Sequence, residues 1–262
     1  MNSIRHWLWA AWLCLASCVV PTAQAAEHVV LYGDEGYRPY SFVENGEFKG
    51  IYVDILTKAA ERLKPEYVID LLPVPWKRGL LYVERGSGFG LFPPGLKKER
   101  GYIRQYSVPL YRETVVVFCT DKVMRSNPQQ FPADFAGLVM GINNGFLLSD
   151  RLMQAAQSGI VKLEEAKDND LNLKKLALGR IDCYVSDRGA ALYSAKLLRS
   201  SESGFNLELH EAAVLSNEET FIGYSAKANP PYKLDFINKM DAVLTEMKNS
   251  GEVEAIITGY FR

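Results

Sequence analysis

The sequence predicts an α/β fold of two lobes, each a mostly parallel sheet flanked by helices, with two hinge strands joining them. Three observations carry that expectation. Short apolar runs alternate with amphipathic helical stretches from residue 28 to 92 and again from 137 to 198, the order that builds parallel sheets. Two strand-like passages with the same opening, ETVVVFCT at 113–120 and ETFIGYSA at 219–226, separate these units from each other and from the C-terminal helices. At 262 residues, 48% hydrophobic and 23% charged, the chain can build one large core or two smaller ones and is not compositionally disordered.

Element by element, HVVLY (28–32) reads as a strand, and a loop with Gly33, Gly36 and Pro39 follows it. Tyr52, Ile55, Leu56, Ala59, Ala60 and Leu63 recur at helical spacing, and Asp54 suits the positive end of the helix dipole. YVIDLLPV (67–74) is the next strand, Trp76–Glu84 a helix and GFGLF (88–92) a short buried strand. The second alternation runs through GLVMGI (137–142) strand, Leu147–Gln157 helix, IVKLEE (160–165) strand and Asp168–Leu178 helix, stopped by Gly179. IDCYVS is a strand, and Ala191, Ser194, Ala195 and Leu198 mark one face of the helix after it. After Pro230-Pro231 the chain closes with two helices, the first carrying Ile237, Met240, Leu244 and Met247, the second Val253, Ile256 and Ile257.

The first residues follow a different rule. Arg5 precedes an apolar run from Trp7 to Val20, too short for a bilayer core that needs about 20 residues, and Ala23-Gln24-Ala25 is an A-x-A cleavage site. Residues 1–25 are therefore expected to be a secretory signal peptide and the protein to be periplasmic. LASC at 15–18 offers the alternative of a lipoprotein anchored at Cys18, but the apolar region continues past it. Cleavage after Ala25 removes only Arg5 from the charge count and leaves 29 basic and 31 acidic residues, a balance that gives nucleic acid no footing as a partner. Cys14 and Cys18 go with the leader. The remaining Cys119 and Cys183 are expected as buried thiols, with a bridge left open because spacing alone does not set their separation.

Few chemical motifs stand out. GSGFG (86–90) follows a helix and lacks the Gly-Lys-Ser/Thr of a phosphate loop, so it reads as a turn. His6, His28 and His210 are scattered and the mature cysteines lie 64 positions apart, so neither a metal site nor a cofactor is expected. No G-x-S-x-G elbow supports a hydrolase. Lys97 and Lys98 read as a solvated face, whereas Arg100 follows a strand end at the presumed crevice, where a guanidinium fork suits a carboxylate. Tyr37, Tyr40, Phe42 and Trp76 fall in or beside strand-to-helix loops of the first unit and could form an aromatic wall. Asp187 ends a strand where an unpaired carboxylate is costly. It serves either a bound cation or the N-terminus of the next helix.

The segments YRPYSF, GIYVDILTKAAERL, PVPWKRGLLYVERG, KKER with YSVPLYRETVVV, VMGINNG, LALGRIDCYVSD and MDAVLTEMKNSGEVEAIITGYF occur in an order that resembles the extracellular solute-binding proteins of family 3, the polar-amino-acid type, over residues 28–262. The resemblance implies a type II periplasmic-binding fold, with lobe one at 27–112 and 221–262, lobe two at 113–220, and hinges at Tyr111–Thr114 and Glu219–Gly223. It implies capture of an amino-acid-like solute, an amine or a carboxylate, for an inner-membrane ABC permease. Arg100 matches the family's carboxylate-binding arginine, Asp187 its ammonium-binding aspartate, and Tyr40 or Phe42 its stacking aromatic. Asp182 reads as structural. The family's threonine before the arginine is Lys97 here, its hydroxyl residues upstream are Pro93-Pro94-Gly95, and its Gly-Thr corner is Gly145-Phe146.

The expected ligand contacts are thus Tyr37, Tyr40, Phe42, Trp76, Gly95 and Arg100 from one lobe and Asn144, Gly145, Phe146 and Asp187 from the other. A solute bridging the lobes would stabilise a closed form by its differential contacts. The same fold also resembles periplasmic cyclohexadienyl dehydratases, which need an acid of raised pKa in the cleft, and no second cleft acid is evident beside Asp187 and Glu99. A ligand-sensing domain without transport is the third reading. No enzymatic activity is expected.

Overall fold

The computed structural model describes residues 25–146 and 148–261. The expected leader, residues 1–25, lies outside the described residues except for Ala25, as does the lipoprotein alternative at Cys18. The chain opens with β1 (Glu27–Asp34), and where a loop was expected it forms a small antiparallel sheet of β2 (Gly36–Tyr37), β3 (Ser41–Glu44) and β4 (Glu47–Lys49). The turn between β3 and β4 is Asn45-Gly46, both at positive φ (55° and 81°), the dipeptide whose backbone matches the twist of a two-residue hairpin. That signal is legible in the sequence as the Asn-Gly dipeptide.

Helix α1 (Ile51–Arg62) buries Ile51, Tyr52, Ile55, Leu56 and Ala59, and begins after Gly50. At φ 129° a Cβ on Gly50 would stand 2.5 Å from the Tyr40 carbonyl oxygen, so only glycine permits this approach. There follow β5 (Tyr67–Val74), α2 (Trp76–Arg85), ended by left-handed Gly86, and β6 (Gly90–Phe92). The GSGFG stretch is therefore a helix stop running into a strand. A 3₁₀ turn at Lys98–Arg100 leads to β7 (Ile103–Tyr106), which the sequence pattern did not reveal.

The chain then enters the second sheet through β8 (Tyr111–Cys119), followed by α3 (Asp121–Met124), β9 (Val139–Asn143), α4 (Asp150–Gln157), β10 (Lys162–Ala166), α5 (Asn169–Ala177), β11 (Cys183–Asp187), α6 (Arg188–Ser201) and β12 (His210–Thr220). Asp168 caps α5 by accepting from the Leu171 amide at 2.9 Å. β13 (Gly223–Ser225), α7 (Lys233–Asn249) and α8 (Glu252–Phe261) complete the chain beside the first sheet.

The two large sheets have orders β5-β1-β6-β13-β7 and β10-β9-β11-β8-β12. In the first, β5, β1 and β6 are parallel and β13 is antiparallel to both β6 and β7. In the second, β10, β9 and β11 are parallel and β8 is antiparallel to both β11 and β12. Each sheet thus has one reversed strand. The expected continuous strand 219–226 is broken at Phe221-Ile222, because the backbone there changes sheets: Phe221 N–H donates to the Pro94 carbonyl and Ile222 N–H to Ser107 Oγ. Among the described residues the chain passes between the two large sheets here and at Ser107–Leu110.

The unbroken β-branched run of β8 follows from burial on both faces. Val115, Val117 and Cys119 enter one core with Cys183 and Val185, while Val116 and Phe118 enter another with Tyr184 and α6. Cys119 and Cys183 are register partners in β8 and β11 and form a disulfide, which replaces the expected pair of free thiols. Asp182 is structural: its Oδ2 accepts from the Val139 amide at 2.8 Å and ties β9 to the entry of β11.

Candidate functional site

Between the two sheets lies a small cavity of about 50 Å³. The first sheet's connections supply Tyr37, Trp76, Gly95, Lys97 and Arg100 to its wall, and the second supplies Glu113, Phe146, Leu148 and Glu218. Trp76 opens α2, and its position after Pro75 holds the ring at the cleft. Its Nε1–H donates to the Gly145 carbonyl at 3.3 Å, and Phe146 packs edge-on against both Trp76 (5.7 Å) and Tyr37 (5.0 Å). The aromatic wall is thus shared between the sheets.

Arg100 is 5% exposed at the end of its 3₁₀ turn. Its Nη1 donates to the Gly95 carbonyl at 3.3 Å and its guanidinium lies 5.4 Å from the Trp76 ring centroid. No carboxylate among the described residues pairs with it. Burial holds its pKa below the ordinary arginine value, with Tyr102, Tyr106 and Glu99 opposing. Lys97 behaves differently from the solvated residue expected: its side chain is 6% exposed, and Nζ meets Glu218 at 3.3 Å, Asp150 at 3.7 Å and the Leu148 carbonyl at 3.1 Å. One cation of the site is neutralised by the protein and the other is not.

Glu113 was not among the expected site residues. It is 5% exposed and accepts Tyr37 Oη–H at 2.5 Å and Tyr52 Oη–H at 2.6 Å. Burial pushes its pKa to about 8, with Asp187 adding to the rise and the two phenols opposing it. A second acid, Glu218, also lines the cavity, so the expectation that the cleft lacks another acid is corrected. An acid at the head of a fully buried run, as in ETVVVF, was the signal that could have revealed Glu113. Glu218 lay in β12, a strand that the sequence pattern left unassigned.

Asp187 lies outside the walls of this cavity. It is 2% exposed, caps α6 through the Ala190 amide at 2.9 Å, and accepts Tyr40 Oη–H at 2.6 Å and the Thr114 amide at 2.9 Å. Burial raises its pKa against those donors. Tyr40 is spent on that bond and is fully buried, stacked on Tyr52 at 5.1 Å. Phe42 faces neither; it lies in β3 beneath the cationic groups of Arg38 (4.9 Å) and Lys49 (5.7 Å). Asn144 lines an adjoining cavity of about 90 Å³ with Phe146, Trp76 and Asp34, whose pKa burial raises to about 7. The structure therefore gathers Tyr37, Trp76, Gly95, Arg100 and Phe146 around one space, sets Asn144 and Gly145 at its edge, and leaves Tyr40, Phe42 and Asp187 behind it.

A larger open groove, about 720 Å³, runs between α1 and α8. Its charges are already matched, Lys58 with Glu252 and Asp54 with the Tyr260 hydroxyl, so it has the character of a solvated surface.

The model of the bacterial extracellular solute-binding proteins, family 3, matches residues 29–262. No curated protein matches the chain. Among solved structures, a histidine kinase sensor domain with similarity to periplasmic binding proteins superposes with a TM-score of 0.74 at 17% identity, over 90% of this chain and 96% of that one. A mutant of ArgBP from T. maritima gives 0.71 at 19% identity, over 89% and 95%. An ancestral amino acid-binding protein, a precursor of cyclohexadienyl dehydratase, gives 0.70 at 18% identity, over 90% and 96%. At these identities the likeness establishes the fold, that of the type II periplasmic binding proteins.

Proposed function

The chain belongs to the bacterial extracellular solute-binding proteins of family 3, and from that premise we propose that it captures a small amino-acid-like solute in the cleft between its two sheets and delivers it to an inner-membrane ABC permease. The observation that carries this reading is Arg100: a buried guanidinium on a cavity wall, stacked on Trp76, with no carboxylate among the described residues to pair with. Leaving a charge so placed is expensive unless a ligand anion completes it, and a carboxylate fits the planar fork with two parallel hydrogen bonds. Trp76, Phe146 and Tyr37 supply the apolar remainder of the site. The expected leader at residues 1–25 and the extracellular family support a periplasmic setting for this capture.

Two lobes, 27–112 with 221–262 and 113–220, would move about the two crossings at Ser107–Leu110 and Phe221-Ile222, the first of which lies just before the expected hinge at 111–114, residues that are paired inside β8. The adjacency of those crossings supports a hinge, since rotation there leaves the cores of both sheets intact. A cavity of about 50 Å³ is smaller than a drug-sized ligand's site, so entry requires opening. The test is a thermal-shift screen of the mature protein against amino acids, small amines and aromatic acids. A solute at one hundred times its dissociation constant should raise stability by about 2.7 kcal/mol. No shift from any carboxylate would refute the reading.

One observation favours a second reading, a dehydratase acting on prephenate or arogenate. Glu113 is a cleft acid whose pKa lies near that of a general acid working at neutral pH. Incubation with either compound, followed by analysis for the aromatic product, separates the readings: a binding protein returns the compound unchanged.

A further inference from the structure

The inter-sheet cavity has Glu113 and Glu218 on its wall and Asp187 behind it, and the geometry separates these acids as receivers of a solute's cationic group. Asp187 is off the cavity wall and its two oxygens already accept three hydrogen bonds. Glu218 is on the wall, but one oxygen pairs with Lys97 and the other accepts the Ser216 hydroxyl at 2.7 Å. Glu113 is on the wall, has no cationic partner among the described residues, and is fixed by two phenols.

The arrangement around Glu113 suits an anion. Each of its oxygens accepts a phenolic O–H at 2.5–2.6 Å, the range of hydrogen bonds to ionised acceptors. Tyr52 is itself held by the Thr220 hydroxyl at 2.8 Å, so the donor is positioned before a ligand arrives. From the same cavity, Arg100 offers an unpaired cation.

We infer that Glu113, rather than Asp187, is the residue that receives the solute's ammonium group, so that Arg100 and Glu113 together select a zwitterion carrying a carboxylate and an amine on a short body. This deepens, and rests on, the reading of the inter-sheet cavity as the solute site. The groups that act most on Glu113 are Tyr37 from β2, Tyr52 from α1, Asp187 from β11 and Glu218 from β12, and the cations of the same cavity wall, Lys97 and Arg100, form no ion pair with it among the described residues. Burial without one keeps Glu113 protonated at neutral pH, and an arriving ammonium reverses that, so binding sends the carboxyl proton to the buffer.

The test uses wild-type mature protein and matched probes: glycine with acetate, alanine with propionate, phenylalanine with 3-phenylpropionate, and lysine with 6-aminohexanoate and hexanoate. Calorimetry at pH 6.5 in two buffers of different ionisation enthalpy reads proton release directly. The expected result is that an amine-bearing member binds at least tenfold tighter than its deaminated partner and releases about one proton per solute bound. Its affinity should rise toward pH 8 and level beyond. Glu113→Gln should erase the preference for the amine while Asp187→Asn keeps it. An amine preference without proton release, or one that survives Glu113→Gln, overturns the assignment to Glu113 and leaves the solute-binding reading in place. Equal or tighter binding of the deaminated acids overturns the zwitterion. Absence of binding by every probe refutes the solute-binding reading along with this one. Because proton release is measured on the unaltered protein, poor folding of Glu113→Gln does not block the result.

Discussion

Tyr40 in the first sheet's connections donates its hydroxyl to Asp187 at the end of β11, 2.6 Å away, and that bond ties the two halves of the molecule behind the cavity. The same carboxylate caps α6 and receives the Thr114 amide at the start of the second sheet. Asp187 is thus a structural junction of three elements.

Asp187→Asn should cost stability and spare binding. Asparagine has one acceptor oxygen where aspartate has two, so at least one donor among Tyr40, Thr114 and Ala190 loses its partner inside the protein. A buried unsatisfied donor costs about 1–3 kcal/mol, whereas affinity should stay within about threefold of wild type. Urea unfolding with calorimetry checks both, and a tenfold loss of affinity at unchanged stability would restore the ammonium role to Asp187.

Arg100→Met should divide the two properties the other way. Removing a buried cation that lacks a carboxylate partner relieves its desolvation cost, so the ligand-free protein is expected to be as stable as wild type or more so. Carboxylate binding should fall tenfold or more, since a hydrogen bond to a charged group contributes about 1.5–3 kcal/mol. Thermal melts with and without solute separate the effects.

Stability should decline as pH rises through the neutral range. Burial lifts Glu113 from 4.5 to about 8 and Asp34 from 3.8 to about 7, and raises Asp187 as well. An acid whose folded pKa exceeds its unfolded value holds more protons when folded, so unfolding becomes easier with increasing pH between the two values. For Glu113 that window opens near pH 4.5 and closes near pH 8. Glu113→Gln should flatten the slope above pH 7, with Asp34 still contributing below it. A wild-type melting temperature that climbs from pH 5 to pH 8 would contradict these assignments.

The Cys119–Cys183 bridge closes a separation of 64 residues across β8 and β11. Chain-entropy arguments value such a loop at about 4 kcal/mol. Replacing both cysteines by serine is expected to lower the melting temperature markedly and to leave solute affinity nearly unchanged, because both side chains face the core and not the cavity. Equal melts with and without reductant would count against a bridge in the isolated protein.

Trp76 is the only tryptophan in residues 26–262, so its fluorescence reports one site. Packed between Arg100 and Phe146 on the cavity wall, it should change intensity or wavelength when a solute binds. An unchanged spectrum under conditions of demonstrated binding would move the solute elsewhere.

Periodicity alone determined most of the elements of this protein: the helix at 51–62 from its apolar spacing, β8 from its β-branched run, α5 from the helical pattern at 168–178 stopped by Gly179, and two α/β units from their alternation. These follow local rules, in which each residue's preference depends on neighbours a few positions away. The resemblance pointed to Arg100, Asp187 and Tyr40 or Phe42, and the loop positions of the aromatics to Trp76; of these Arg100 and Trp76 line the cavity and the others do not. What the sequence did not disclose is non-local. β7 and β12 are strands because β13 and β8 stand beside them, whereas the Asn45-Gly46 hairpin turn is a local signal that the sequence does carry. Whether Cys119 faces Cys183 is a matter of register between strands far apart in the chain. The division of labour among the acids was decided by tertiary structure alone: Glu113 and Asp187 are both buried carboxylates, yet Tyr40, Thr114 and Ala190 converge on one, while the other reaches the space that Arg100 shares. A carboxylate's role depends on which donors and cations the fold brings within about 3 Å, and no local pattern encodes that distance.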